Sequence, residues 1–194
     1  IALPSLLSPY RRPAMLQPAR LSAGIAAVGI KAAWQQRGGR IALDGIDTAV
    51  QPSTGRGNGL FAQRDFGAGE IVAQYNGILA SYESFLDAYK ESLTSGDYIA
   101  FADAGGNRVI DAEPSVAGRC DVGRMVNHSK RGENCYIWAV SIRGVPTGVA
   151  FIVTKKRLPA GGEFFLNYGD RYWDDQFRGR LDPLGVGRLV VDYL

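Results

Sequence analysis

Histidine and cysteine are nearly missing from this chain. One histidine, His128, and two cysteines, Cys120 and Cys135, are all that 194 residues contain. Neither a zinc cluster nor a disulfide framework can be built from so few, so no metal is expected, although one Cys120–Cys135 bridge stays open. A reducing compartment is the default for such cysteine usage. No stretch reaches the 18 or so unbroken apolar residues that a membrane span needs. No Gly-x-Ser-x-Gly elbow is present, which removes the commonest serine-hydrolase arrangement. Acidic residues are missing from positions 1–43, where Arg11, Arg12, Arg20, Lys31, Arg37 and Arg40 all lie. The rest of the chain therefore has 16 bases against 19 acids, and the overall charge of +3 reverses to −3 outside this flank. A mildly acidic domain suits a basic peptide better than a phosphate backbone, and no direct nucleic-acid contact is required. An ordinary, uncommitted surface is an equally good account of −3.

What is abundant is glycine, at 25 residues, with nine prolines spread along the chain. That mixture favours short strands and many turns. Strands are expected at Ile71–Tyr75, Tyr98–Phe101, Val109–Asp111, Cys135–Ile142, Val149–Thr154 and Glu163–Asn167, with hairpin-like spacings around Gly105-Gly106 and Gly144–Gly148. One helix is expected from Tyr82 to Leu93, capped by Ser81 or Ser84, carrying Phe85, Tyr89 and Leu93 on one face and stopped by Gly96. No strand–helix–strand alternation appears, which argues against a doubly wound nucleotide fold. The fold class is therefore mostly β, built of short strands and small sheets with one inserted helix. Residues 1–49 form a basic flank that reads equally as a transit segment, a disordered arm or an ordered extension. Within it, Leu21–Gln36 can form a helix with Ile25, Val28, Ala32 and Ala33 as its apolar stripe. Residues 50–175 are the domain proper, and 176–194 a tail.

Three motifs follow one another. The first is Gly55-Arg56-Gly57-Asn58-Gly59-Leu60-Phe61-Ala62, a turn whose glycines let backbone approach a polar ligand. Alone it has little weight, because about three Gly-x-Gly triplets are expected by chance in so glycine-rich a chain. The second is Arg124-Met125-Val126-Asn127-His128-Ser129, followed by Asn134-Cys135. The third is Gly162-Glu163-Phe164-Phe165-Leu166-Asn167-Tyr168-Gly169.

In combination and in this order, the three resemble the signature blocks of SET-domain protein lysine methyltransferases, over about residues 50–175. The resemblance implies a SET fold in which the Asn127–Ser129 segment threads a preceding loop as a pseudoknot, an exception to the rule of unknotted chains. It implies S-adenosyl-L-methionine as cofactor. Gly57, Asn58, Gly59 and Leu60 would hold its amino-acid end, and Arg124, Asn127 and His128 would hold its amino-acid and adenine parts, partly through backbone groups. Tyr98, Tyr168 and Trp173 complete the implied cofactor contacts, with Trp173 or Phe177 stacking near adenine. Asn134-Cys135 comes one residue later than usual, as after a small insertion at Lys130–Glu133.

Methyl transfer to an amine needs a neutral lysine, whose free pKa is about 10.4. A dry aromatic channel disfavours the ammonium and aligns the nitrogen. Aromatic faces and carbonyl oxygens stabilise the sulfonium methyl group. By position, Tyr168 corresponds to the family's catalytic tyrosine and Tyr75 to a channel-lining one. Two departures stand out. Leu166 takes a position where the family often has Phe or Tyr, which leaves room for di- or trimethylation. The cysteine-rich zinc segments found before and after some SET domains are also missing. The activity implied is transfer of methyl groups to a lysine of a histone or another protein, in the nucleus or cytoplasm, with an organelle left open by the acid-free flank. The competing readings are a SET-fold interaction module without activity, and an unrelated β protein carrying coincidental motifs.

Overall fold

The computed structural model describes residues 18–103, 105–114, 121–142 and 144–168. A helix, α1 (Pro18–Gln36), precedes ten short strands: β1 (Thr48–Ser53), β2 (Gly57–Ala62), β3 (Ile71–Tyr75), β4 (Ile78–Ser81), β5 (Ile99–Phe101), β6 (Arg108–Asp111), β7 (Asn127–His128), β8 (Cys135–Ile142), β9 (Val145–Thr154) and β10 (Phe165–Leu166). A second helix, α2 (Tyr82–Lys90), follows β4, and a 3₁₀ turn, Val122–Met125, leads into β7. The strands form four small sheets: β1-β2, β3-β9-β8, β4-β6-β5 and β10-β7.

The main core lies where these sheets meet. Leu60, Phe66, Val72, Ile110, Val126, Ile152 and Phe164 are almost wholly buried there. The last six residues of β9 form the longest buried run among the described strands, because β9 is the central strand of its sheet and is covered on both faces. β9 also runs further back than its apolar run suggests, to Val145, and takes in Pro146. Proline is tolerated there because the β3 ladder covers only Ala150–Val153, so no neighbour on that side needs the missing N–H.

The outer face of β3-β9-β8 is covered by α1. Ala27 is buried against Val149, Phe151 and Val153, with Ala26, Ile30 and Trp34 packed alongside. The Trp34 and Trp138 rings meet at a tilt of 43° with centroids 5.3 Å apart. Sequence periodicity pointed to a different stripe, and Val28 is in fact 71% exposed, with Ala32 and Ala33 exposed too. The contact with Trp138 is the physical reason, since the largest apolar surface on the helix is Trp34 and it sets the rotation. The chain then runs beside β3, with Ala42 N–H donating to Ile71 O and Ile71 N–H to Arg40 O. Residues 26–42 thus pack as a layer against the β3-β9-β8 sheet.

In α2, Ser81 is the N-cap and accepts from Ser84 N–H at 3.1 Å. Phe85 and Ala88 are buried. The helix ends earlier than expected. Ser92 takes the left-handed conformation (φ 57) and Leu93 N–H bonds back to Ala88 O, so Ser92 rather than Gly96 closes it and Leu93 leaves the buried face. The glycine motif also differs from its expectation. The turn is confined to Thr54–Arg56, and Gly57–Leu60 already belong to β2, paired with β1 from Ser53 to Val50. The pseudoknot expected at Asn127–Ser129 has there a parallel β7–β10 pair, Asn127 opposite Phe165 and His128 opposite Leu166.

Candidate active site

The β7–β10 pair is too short to hold itself together, and polar side chains brace it. The Glu163 carboxylate, just before β10, accepts from Asn127 Nδ2 on one oxygen at 2.9 Å and from Ser53 Oγ on the other at 2.9 Å. Asn127 Nδ2 also donates to Asn58 O at 3.0 Å. One carboxylate thereby ties β1, β2 and β7 together. Hydrogen bonds to a charged group contribute roughly 1.5–3 kcal/mol each. The brace requires glycine at 59, because a Cβ there would come 2.2 Å from Glu163 Oε1 and 2.9 Å from Asn127 Nδ2.

Asn134 completes the other edge. Its side chain donates to Glu163 O at 2.8 Å and accepts from Phe165 N–H at 2.8 Å, and it is 4% exposed. Cys135 lies against it, with Sγ 3.3 Å from Asn134 Oδ1. Burial pushes the Cys135 thiol up to about 12, so it stays protonated and is no nucleophile.

Tyr168 is fixed at two atoms. Its backbone N–H donates to His128 Nδ1 at 3.0 Å, which places the imidazole proton on Nε2 in the neutral form, and its hydroxyl donates to Val126 O at 2.6 Å. The His128 and Tyr168 rings are 5.3 Å apart. Tyr168 and Tyr98 both pack against the main core, which includes Tyr75 at 5% exposure. The three tyrosines singled out in the sequence therefore share one cluster.

The 3₁₀ turn packs on β2 and β3. It can do so because Gly123 lies against the β3 backbone, where a Cβ would be 2.4 Å from Gln74 O. This places Arg124 with its guanidinium 5.8 Å from the Tyr98 ring centroid. Arg124 Nη1 is buried with no hydrogen-bond partner among the described residues. A buried, unanswered cationic donor beside an aromatic ring fits the carboxylate of an amino-acid group.

Of the other expected cofactor contacts, Gly57 and Asn58 are exposed and Gly59 is buried. Leu60 has its side chain wholly inside the core, and its carbonyl accepts from Phe164 N–H at 2.9 Å. Asn127 Nδ2 is engaged in the brace and His128 Nδ1 with the Tyr168 N–H. Trp173 and Phe177 lie outside the described residues. Three residues escaped the reading from sequence alone: Glu163, Ser53 and Gly123. Glu163 stands inside the third motif, but nothing local shows that it bonds Ser53, 110 positions away.

The chain has named relatives. It is 34% identical over 122 residues to the N-lysine methyltransferase KMT5A-A of Xenopus laevis, a match covering 61% of this chain and 35% of that protein. It is 35% identical over 125 residues to the N-lysine methyltransferase KMT5A of Xenopus tropicalis, covering 61% and 34%. The histone-lysine N-methyltransferase set-1 of Caenorhabditis elegans is 26% identical over 120 residues, covering 60% and 48%. The chain thus spans about a third to a half of the length of these relatives. A SET domain model matches residues 57–169, more than half of the chain, and takes in the second and third motifs and the first from Gly57 onward. The chain belongs to the SET-domain family.

Proposed function

We propose that this chain is an S-adenosyl-L-methionine-dependent protein-lysine N-methyltransferase, acting on a histone or another lysine-containing protein. The observation that carries the reading is the double fixation of Tyr168, by His128 through its backbone and by Val126 O through its hydroxyl, inside a cluster shared with Tyr75 and Tyr98. The named activities of the Xenopus and Caenorhabditis relatives support it.

The residues fit the cofactor. Arg124 Nη1 would meet its carboxylate, the Gly57–Gly59 backbone its amino-acid end, and Tyr98 its charged portion. When bound, the cofactor supplies a methyl group on a sulfonium, a carbon open to in-line attack by an amine. The protein's part is to place a neutral amine on that line. Tyr75, 5% exposed at the end of β3, and Tyr98 provide a wall of low polarity that disfavours the ammonium form. With its proton directed to Val126 O, the Tyr168 oxygen acts as acceptor for an amine N–H and points the nitrogen lone pair forward. Leu166, 4% exposed and paired with His128, is smaller than the Phe or Tyr often found at this position in the family and would leave room near the amine for more than one methyl group.

The test is methyl transfer from labelled cofactor to core histones and to a cell lysate, read by mass spectrometry, with Tyr168→Phe alongside. Labelled lysine is expected, together with a rate reduced about 10²-fold or more in the variant and unchanged cofactor binding by calorimetry. Equal rates for wild type and variant would remove Tyr168 from the chemistry. Cofactor binding with no labelled protein in either pool would favour an interaction module.

A further inference from the structure

The charge of the whole domain hides a separation. Residues 82–113, which build α2, β5 and β6, contain seven acids and two bases. The base of the β8–β9 hairpin is the reverse. Lys130 and Arg131 lie in the turn before β8, and Lys155, Lys156 and Arg157 follow β9; all five are exposed. The two groups are held side by side. Cys135 pairs with Thr154, Lys155 N–H donates to Asn134 O, and Lys155 Nζ sits 2.9 Å from Glu133. Arg56 extends the same band. Its guanidinium lies 5.3 Å from the Phe165 ring centroid, and a Cβ on Gly132, next to Arg131, would lie 3.8 Å from Phe165 Cδ2.

Among the described residues, six cations thus share one band with two carboxylates, Glu133, which pairs with Lys155, and Asp65, which pairs with Arg157 at 2.7 Å. Arg56, Arg131 and Lys156 alone give this band an excess of about three positive charges among the described residues, enough for a local field. A lysine-rich peptide would be repelled here and drawn instead to the acidic segment. The large exposed apolar side chains among the described residues lie at positions 28, 43–50, 93 and 142–145, none of them in the band. Protein–protein interfaces carry aromatic or apolar anchors at their centre, whereas phosphate contacts are made by cationic and polar groups alone.

We propose that this band, formed by Arg56, Lys130, Arg131 and Lys155–Arg157, docks the phosphate backbone of a nucleic acid. It lies outside the tyrosine cluster, and the docking is independent of sequence.

The experiment titrates the full chain, without methyl donor, into a short labelled DNA duplex by fluorescence anisotropy, at salt concentrations from about 50 to 200 mM. The plot of log affinity against log salt is expected to have a slope of roughly −3 to −4, from about 0.9 per neutralised phosphate. Arg131→Gln with Lys156→Gln is expected to flatten that slope by about two and to weaken binding roughly tenfold or more. Both positions are exposed, so folding survives, as circular dichroism would show. Arg37→Gln with Arg40→Gln, in the basic flank, is expected to change the slope little. Three results would overturn the proposal: no salt-dependent binding, a slope lost in the flank variant but kept in the band variant, or displacement by poly-glutamate more readily than by unlabelled duplex at equal charge, which would assign the band to an acidic protein. No methyl transfer enters the readout, so failure here leaves the proposed reaction standing, and failure of that reaction leaves this binding standing.

Discussion

Gly59 and Leu166 show how much single side chains decide at this site. At Gly59 a side chain would have to displace two others, since the space a Cβ would take is held by Glu163 Oε1 and Asn127 Nδ2. Gly59→Ala is expected to dislodge the Glu163 carboxylate, at a cost of about 1–3 kcal/mol, and to weaken cofactor binding as well. Chemical denaturation and calorimetry would read the two effects. An unchanged midpoint would mean that the brace relaxes freely and contributes little. At Leu166 the question is the product rather than stability. Leu166→Tyr adds bulk and a hydroxyl near the proposed amine position, so the mass of the methylated peptide is expected to shift toward fewer methyl groups. If wild type and variant give the same product distribution, Leu166 does not set the methylation degree.

At the scale of elements, α1 was legible as a helix but not in the face it buries, and α2 was among the most legible. The α2 pattern is local: a serine cap, a four-residue apolar repeat and flanking polar residues. β3 and β8 were legible to the residue because their apolar runs coincide with the ladder. β1 and β4 were missed, one because it contains Pro52 and alternates poorly, the other because four residues show no period. Gly57–Ala62 read as turn because glycine is abundant in it, yet the β1 partner makes it strand. The site was legible as motif but not as mechanism: Tyr168 and His128 stood out, whereas the Ser53–Glu163–Asn127 brace joins distant segments. For α1, the face that is buried depends on Trp138, about a hundred residues downstream. Two substitutions separate the stripes. Trp34→Ala is expected to lower stability by about 2 kcal/mol, for loss of a half-buried ring packed against Trp138. Val28→Ala, at a position 71% exposed, is expected to stay within about 0.5 kcal/mol of wild type. Equal melting temperatures for the two would place α1 off the sheet.

For the whole molecule, the flank and the domain are joined by charge as well as by α1. Arg64 is the hub. Its Nη1 contacts Glu70 at 2.8 Å, its Nε contacts Asp47 at 3.0 Å, and its guanidinium lies 3.9 Å from the Phe66 ring centroid. Partial burial works against the Arg64 charge, but its bonds to Glu70 and Asp47 outweigh this and hold it above the usual value. Glu70 is 5% exposed and also faces Arg40 at 3.5 Å. Removing Arg64 would strip this buried carboxylate of its closest cation, and Arg64→Met is expected to cost about 3 kcal/mol. Asp47 reports on the same junction through pH. The Leu43 N–H, which donates to it at 2.9 Å, and then Arg64 hold its carboxyl below the ordinary range. A carboxyl lowered on folding stabilises the protein above its unfolded pKa, about 3.9, and loses that contribution as pH falls through the folded value. Asp47 is partly open to solvent, so its contribution is small, about 0.5 kcal/mol after screening. Asp47→Asn should therefore lower the urea midpoint slightly at pH 7, and the difference from wild type should shrink as pH falls below about 4. A gap that instead widened on acidification would reverse the sign and show that the Asp47 carboxyl is not held by the flank in the folded protein.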